Sequence, residues 1–82
     1  MLTYIHDRIT VDPDLCGGKP TIRGHRVTVQ TILEFLAAGD KPAEILEDFE
    51  FLELEDIQAC EQFARKTALE TLNHRVYFPA AA

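Results

Sequence analysis

The chain has 82 residues, of which 46% are apolar and 27% charged, and its formal net charge at pH 7 is -6. These values are typical of one small soluble domain, and no apolar run approaches the roughly 20 residues that span a bilayer. Polar and charged residues interrupt the first ten positions where a secretory signal needs an apolar region, so the sequence predicts a cytoplasmic protein.

The acidic residues are concentrated in the middle of the chain. Residues 34–64 carry one lysine against ten acidic residues, whereas residues 1–33 and 65–82 each carry a small positive excess. Because an acidic surface repels a phosphate backbone, only the two ends of the chain could attract a nucleic acid.

Residues 1–27 are predicted to form an arm of strands and turns. Residues 3–5 and 8–11 are rich in β-forming side chains and predict a short hairpin, or a strand pair completed by another part of the molecule. Residues 21–22 and 26–27 predict a second, shorter pair around Gly24. Strands this short have few partners within one chain. We therefore expect a homodimer in which edge strands pair across a two-fold axis.

The loop of residues 17–27 combines unusual backbone with positive charge, since it contains three of the four glycines. Gly24 is predicted to adopt a positive φ in a tight reversal. Basic side chains around such a reversal could contact DNA, although Arg23 and Arg26 could equally be solvated or paired with Asp12 or Asp14. The candidate DNA-binding residues are Lys19, Arg23, His25 and Arg26.

Residues 28–72 are predicted to form a three-helix bundle, followed by a tail at residues 73–82. The first helix has Thr28 as its N-cap and Gly39 at its C-terminal end, and the second starts at Pro42. The third is predicted to end near Asn73. Its expected inner face consists of Ile57, Cys60, Ala64, Ala68 and Leu72.

Three consecutive helices with short links are typical of a helix-turn-helix protein. We therefore predict one domain at residues 1–82, mainly α with a small N-terminal β element, and homeodomain-like or winged-helix-like in its helices. The third helix begins with Glu53, Glu55 and Asp56, which would repel phosphates. For this reason the basic loop, and not helix three, is predicted to carry any DNA contact.

The sequence favours a protein that is not an enzyme and holds no metal or cofactor. The three histidines are scattered without a metal-ligand spacing, and the two cysteines are too far apart to form a redox pair. Gly17 to Thr21 lacks the first glycine of a phosphate-binding loop, so nucleotide binding is not expected. The carboxylates between Glu44 and Asp56 are interpreted as solvated faces.

The chain resembles the DUF433 family over about residues 5 to 65. The resemblance lies in the run from Gly18 to Val29, then in Ile32-Leu33, Ala38-Gly39-Asp40 and Glu44-Ile45-Leu46. It implies a small helix-turn-helix protein that serves as an antitoxin of a type II toxin-antitoxin system of the VapBC kind. The implied partner is a protein with a PIN-like nuclease domain, which uses clustered carboxylates and a divalent metal.

The resulting expectation is an antitoxin that neutralises a PIN-like nuclease and binds its own operator DNA. Basic side chains near the C-terminus of this chain could neutralise the acidic metal site of such a nuclease, and nearby aromatic side chains could anchor the contact. The candidate toxin-binding residues are Arg65, Lys66, Arg75, Tyr77 and Phe78. Two alternatives stay open: a stand-alone DNA-binding regulator, and a protein-interaction module whose acidic helices meet a basic partner without any DNA.

Overall fold

The structure, a computed structural model, describes the backbone of residues 1–77 and the side chains of residues 1–70. Three short strands come first, then three helices. The strands are β1 (Thr3–His6), β2 (Ile9–Val11) and β3 (Thr21–Ile22), with a 3-10 helix at Cys16–Gly18 before β3. The helices are α1 (Val29–Ala37), α2 (Pro42–Asp48) and α3 (Leu54–Tyr77).

The strands form one antiparallel sheet in the order β1-β2-β3. Tyr4 lies opposite Thr10 in the first pair, and Ile9 lies opposite Ile22 in the second. The predicted hairpin is confirmed. The predicted second pair is reduced to a single bridge between Thr21 and Thr28. Because β2 has a partner on each side within one chain, the sheet does not need a second subunit to complete it.

The reversal at Gly24 has the predicted geometry. Its φ is 76°, and its N–H donates to Oγ1 of Thr10 at 2.9 Å. A Cβ at this position would lie 2.7 Å from Cδ1 of Leu2. Both the backbone conformation and the close approach of Leu2 therefore favour glycine here.

The ends of α1 follow from local sequence. Oγ1 of Thr28 accepts from the N–H of Thr31 at 3.1 Å, which confirms the predicted N-cap. At the other end, Gly39 has a φ of 101°, and the N–H of Asp40 donates to the carbonyl of Phe35. These features define a Schellman motif, which ends the helix and turns the chain toward α2.

The core lies between the sheet and the three helices. The sheet contributes Ile9 and Ile22, and the helices contribute Ile32, Ile45 and Ile57, all of which are buried. Burying each of these side chains stabilises the fold by about 1.5–3 kcal/mol relative to leaving it exposed.

The third helix is longer and less buried than predicted. It runs to Tyr77, beyond the expected end near Asn73, because the first helix-breaking residue after Leu54 is Pro79. On the predicted inner face, Ile57 and Cys60 are buried, Ala64 is half-buried and Ala68 is exposed, so burial decreases along the helix. The predicted Leu72 contact lies outside the described side chains. Within the described residues, no helix is both long enough and apolar enough to cross a membrane.

Candidate functional site

Two arginines from the N-terminal arm converge on one buried carboxylate. Arg8 follows β1 and Arg23 follows β3, and both reach Asp56 in the first turn of α3. Nε of Arg23 donates to Oδ1 of Asp56 at 2.9 Å, and its Nη2 donates to Oδ2 at 2.8 Å. Nη1 of Arg8 donates to Oδ1 at 3.0 Å. We call Arg8, Arg23 and Asp56 the arginine-aspartate cluster.

The side chain of Asp56 is fully buried, and both of its carboxylate oxygens accept hydrogen bonds. Besides the two arginines, the N–H of Glu53 donates to its Oδ2 at 2.8 Å, which satisfies a free donor at the start of α3. Burial on its own would raise the pKa of this carboxyl. The hydrogen bonds from Arg23, from the Glu53 N–H and from Arg8 outweigh burial and hold the pKa of Asp56 below its usual range.

The backbone at both arginines is unusual and directs their side chains. Arg8 has a φ of 64° and Arg23 has a φ of 48°. Both lie in the left-handed region, which residues with a Cβ rarely adopt. The N–H of Arg23 donates to the carbonyl of Arg8 at 3.0 Å, so the two turns support each other. Nη2 of Arg23 also donates to the carbonyl of Phe51. The guanidinium of Arg23 therefore joins the sheet to the loop between α2 and α3.

The four candidate DNA-binding residues have different environments. Arg26 and Lys19 are exposed, whereas His25 is partly buried and its ring lies 4.6 Å from that of Phe51. Arg23 is held by Asp56. The suggested pairing of Arg23 with Asp12 or Asp14 is wrong, because Asp12 instead contacts the Met1 amino group and the N–H of Asp14.

The described candidates for toxin binding lie on α3 where the helix has left the core. Arg65 and Lys66 are exposed, and Leu69 beside them is 61% exposed. Nε of Arg65 reaches the backbone carbonyl of Glu61 at 3.5 Å. The side chains of Arg75 and Tyr77, and all of Phe78, lie outside the described residues.

An apolar groove separates α1 from the second half of α3. It has a volume of about 830 Å³. Leu33 lines one wall, and Phe63, Ala64 and Ala68 line the other. The further lining residues are Lys19, Pro20, Thr28, Val29, Gln30, Glu34, Ala37 and Thr67. Sequence periodicity predicts Ala64 and Ala68 on the inner face of α3. Their small side chains are the sequence signal that space remains beside this helix.

Among the described residues, no group of three or more histidine, cysteine or acidic side chains could hold a metal ion. Cys60 is also unsuited to nucleophilic chemistry. Burial raises the pKa of its thiol to about 12, so the reactive thiolate is not formed near neutral pH.

A three-stranded sheet, three helices and a cluster that joins them define a small α+β domain. The DUF433 family, described as a protein of unknown function, matches residues 9–64, so the chain belongs to this family. The matched segment includes Arg23 and Asp56 of the arginine-aspartate cluster, whereas Arg8 lies just before it.

The chain is also similar to two other proteins. The chain is 34% identical over 68 residues to the uncharacterized protein y4eO of Sinorhizobium fredii, an alignment that covers 83% of this chain and 31% of that protein. The crystal structure of a DUF433 member protein from Anabaena variabilis superposes with a TM-score of 0.71 at 26% identity. That superposition covers 85% of this chain and 68% of the other, and it supports the fold described above.

Proposed function

We propose that the protein is an antitoxin of a type II toxin-antitoxin system, which binds a PIN-like nuclease and also binds its own operator DNA. The observation that carries the proposal is the exposed cationic segment of α3. Arg65 and Lys66 are exposed on α3 beyond its buried part, directly after the acidic residues 34–64. Two cations on a projecting helix suit the clustered carboxylates of a PIN-like nuclease.

The toxin contact is tested by reversing charge on α3. Replacing Arg65 and Lys66 by glutamate is expected to weaken binding of a co-expressed PIN-like protein at least about tenfold, since two attractive contacts become repulsive. The matched control is the double variant Arg26→Glu and Lys41→Glu, which changes net charge equally at other exposed sites. Binding is measured by titration calorimetry, and inhibition by ribonuclease assay. Equal loss in both double variants, or in neither, would refute this location.

The DNA contact that we propose centres on Arg26, with His25 beside it. Arg26 is exposed on a turn that the arginine-aspartate cluster holds in place, whereas Arg23 is engaged with Asp56. Arg26→Gln is expected to lower affinity for operator duplex and to reduce the slope of log K against log salt by about one. Gln58 and Gln62 are exposed amide side chains on α3, and replacing both by alanine should reduce the affinity less.

Two outcomes would count against the DNA half of the proposal. If the unmodified protein binds no duplex at low salt, this half fails; if it also binds no PIN-like protein, a protein-interaction module is the better description. If it binds duplex but no PIN-like protein, a stand-alone regulator is favoured instead. Fluorescence anisotropy over a series of salt concentrations measures both the affinity and the slope.

A further inference from the structure

The groove between α1 and α3 leaves an apolar surface uncovered on a small domain. Leu33 and Phe63 line it and are only partly buried, and Ala68 on the same wall is exposed. The helix continues beyond this point, and a helical segment in water gains most of its stability from packing of an apolar face. An open apolar groove between two helices can accept apolar side chains of another molecule.

We propose that a second copy of this chain covers the groove, with the grooves of the two copies facing each other across a two-fold axis. In this dimer the stretches of α3 around Ala64 and Ala68 of the two copies lie side by side. The proposal goes beyond the antitoxin function and does not depend on it.

Charge complementarity points to a second copy as the partner. The groove is lined by one base, Lys19, and one acid, Glu34, and its other lining residues are uncharged. In an interface with two-fold symmetry, every contact between two different residues is made twice. Lys19 of each copy can therefore face Glu34 of the other, giving two attractive pairs with no like charges opposed. Residues 34–64 as a whole carry ten acids against one lysine, so contact between other helical faces would be repulsive.

The side chains of α3 also fit this arrangement. Ala64 and Ala68 are small, which allows two helices to approach to an interaxial distance of about 8 Å. Arg65 and Lys66 do not line the groove. The dimer therefore leaves the proposed toxin-binding cations accessible on its outer surface.

Paired charge reversals test this dimer directly. Sedimentation velocity should show that the unmodified protein is a dimer at micromolar concentration. Lys19→Glu alone, and Glu34→Lys alone, should each raise the dimer dissociation constant about tenfold or more, because each variant opposes like charges at two symmetric positions. The double variant Lys19→Glu with Glu34→Lys should recover the dimer.

Mixing the two single variants gives a sharper result. A heterodimer of the Lys19→Glu and Glu34→Lys chains has an attractive pair at both positions, so mixing should restore the dimer affinity that each variant alone has lost. Circular dichroism of each variant confirms that the monomer is folded. A monomeric unmodified protein would overturn the proposal. A dimer that is insensitive to both reversals, or folded variants that neither mixing nor the double replacement restores, would also overturn it.

Discussion

Replacing Asp56 by asparagine is expected to lower the free energy of unfolding by about 3 kcal/mol. The change leaves the guanidinium of Arg23 facing a neutral amide, while Arg8 keeps its ion pair with Glu53 at 2.7 Å. Removing one partner of a buried ion pair typically costs about 3–5 kcal/mol. Arg8 and Arg23 are 28% and 29% exposed, so water can compensate in part and the lower end of this range applies. For a domain of this size the melting temperature should fall by roughly 10–20 °C.

Acid titration adds a second measurement on the same variant. Because the pKa of Asp56 is lowered in the folded state, its contribution is fully present above the ordinary value of 3.8 and is lost as the pH falls through the folded-state pKa. The difference in unfolding free energy between the two proteins should therefore be constant from pH 7 to about pH 5 and should shrink below about pH 3.8.

The matched control for this prediction is Glu55→Gln, which removes the same charge from the neighbouring exposed position. It should change the free energy of unfolding by no more than about 0.5 kcal/mol. Urea denaturation followed by circular dichroism measures both variants. Equal stability of Asp56→Asn and the unmodified protein would show that the arginine-aspartate cluster does not stabilise the fold.

Arg23→Gln should lower the free energy of unfolding by about 2–3 kcal/mol, whereas Arg26→Gln should change it by less than about 0.5 kcal/mol. Arg23 donates to both oxygens of Asp56 and to the Phe51 carbonyl, while Arg26 is exposed. Two arginines three positions apart in one loop are thus expected to have different roles, one in folding and one in binding.

A lysine substitution separates geometry from charge. Arg23→Lys retains the positive charge, but one ammonium group cannot reproduce two parallel bonds to a carboxylate together with a third to a carbonyl. It should recover less than half of the stability lost in Arg23→Gln, as measured by urea denaturation. Full recovery would mean that charge alone, without the paired hydrogen bonds, accounts for the effect of Arg23.

The features that sequence predicts well here are local ones. The Thr28 cap, the Gly39 end of α1 and the positive φ of Gly24 depend on residues within a few positions, and each was confirmed. The first hairpin was predicted for the same reason, since its two strands are separated by a two-residue turn.

The arginine-aspartate cluster could not be predicted in this way. Asp56 is separated from Arg23 by 33 positions and from Arg8 by 48, so no spacing rule connects them. In the sequence, Asp56 lies close to Glu53 and Glu55. Nothing local distinguishes it from an ordinary solvent-exposed acidic residue at the start of a helix. Only the tertiary fold distinguishes the buried carboxylate from its exposed neighbours.

The same long-range connection limits how the chain can be divided. A fragment that began at the Thr28 cap would retain all three helices, and from its sequence alone it would be predicted to fold as an independent helical bundle. It would nevertheless present Asp56 without Arg8 or Arg23, and its core would lack Ile9 and Ile22. Grafting the helices alone onto another scaffold is therefore unsuited to this protein, and fusion partners belong at positions outside the unit from Arg8 to Cys60.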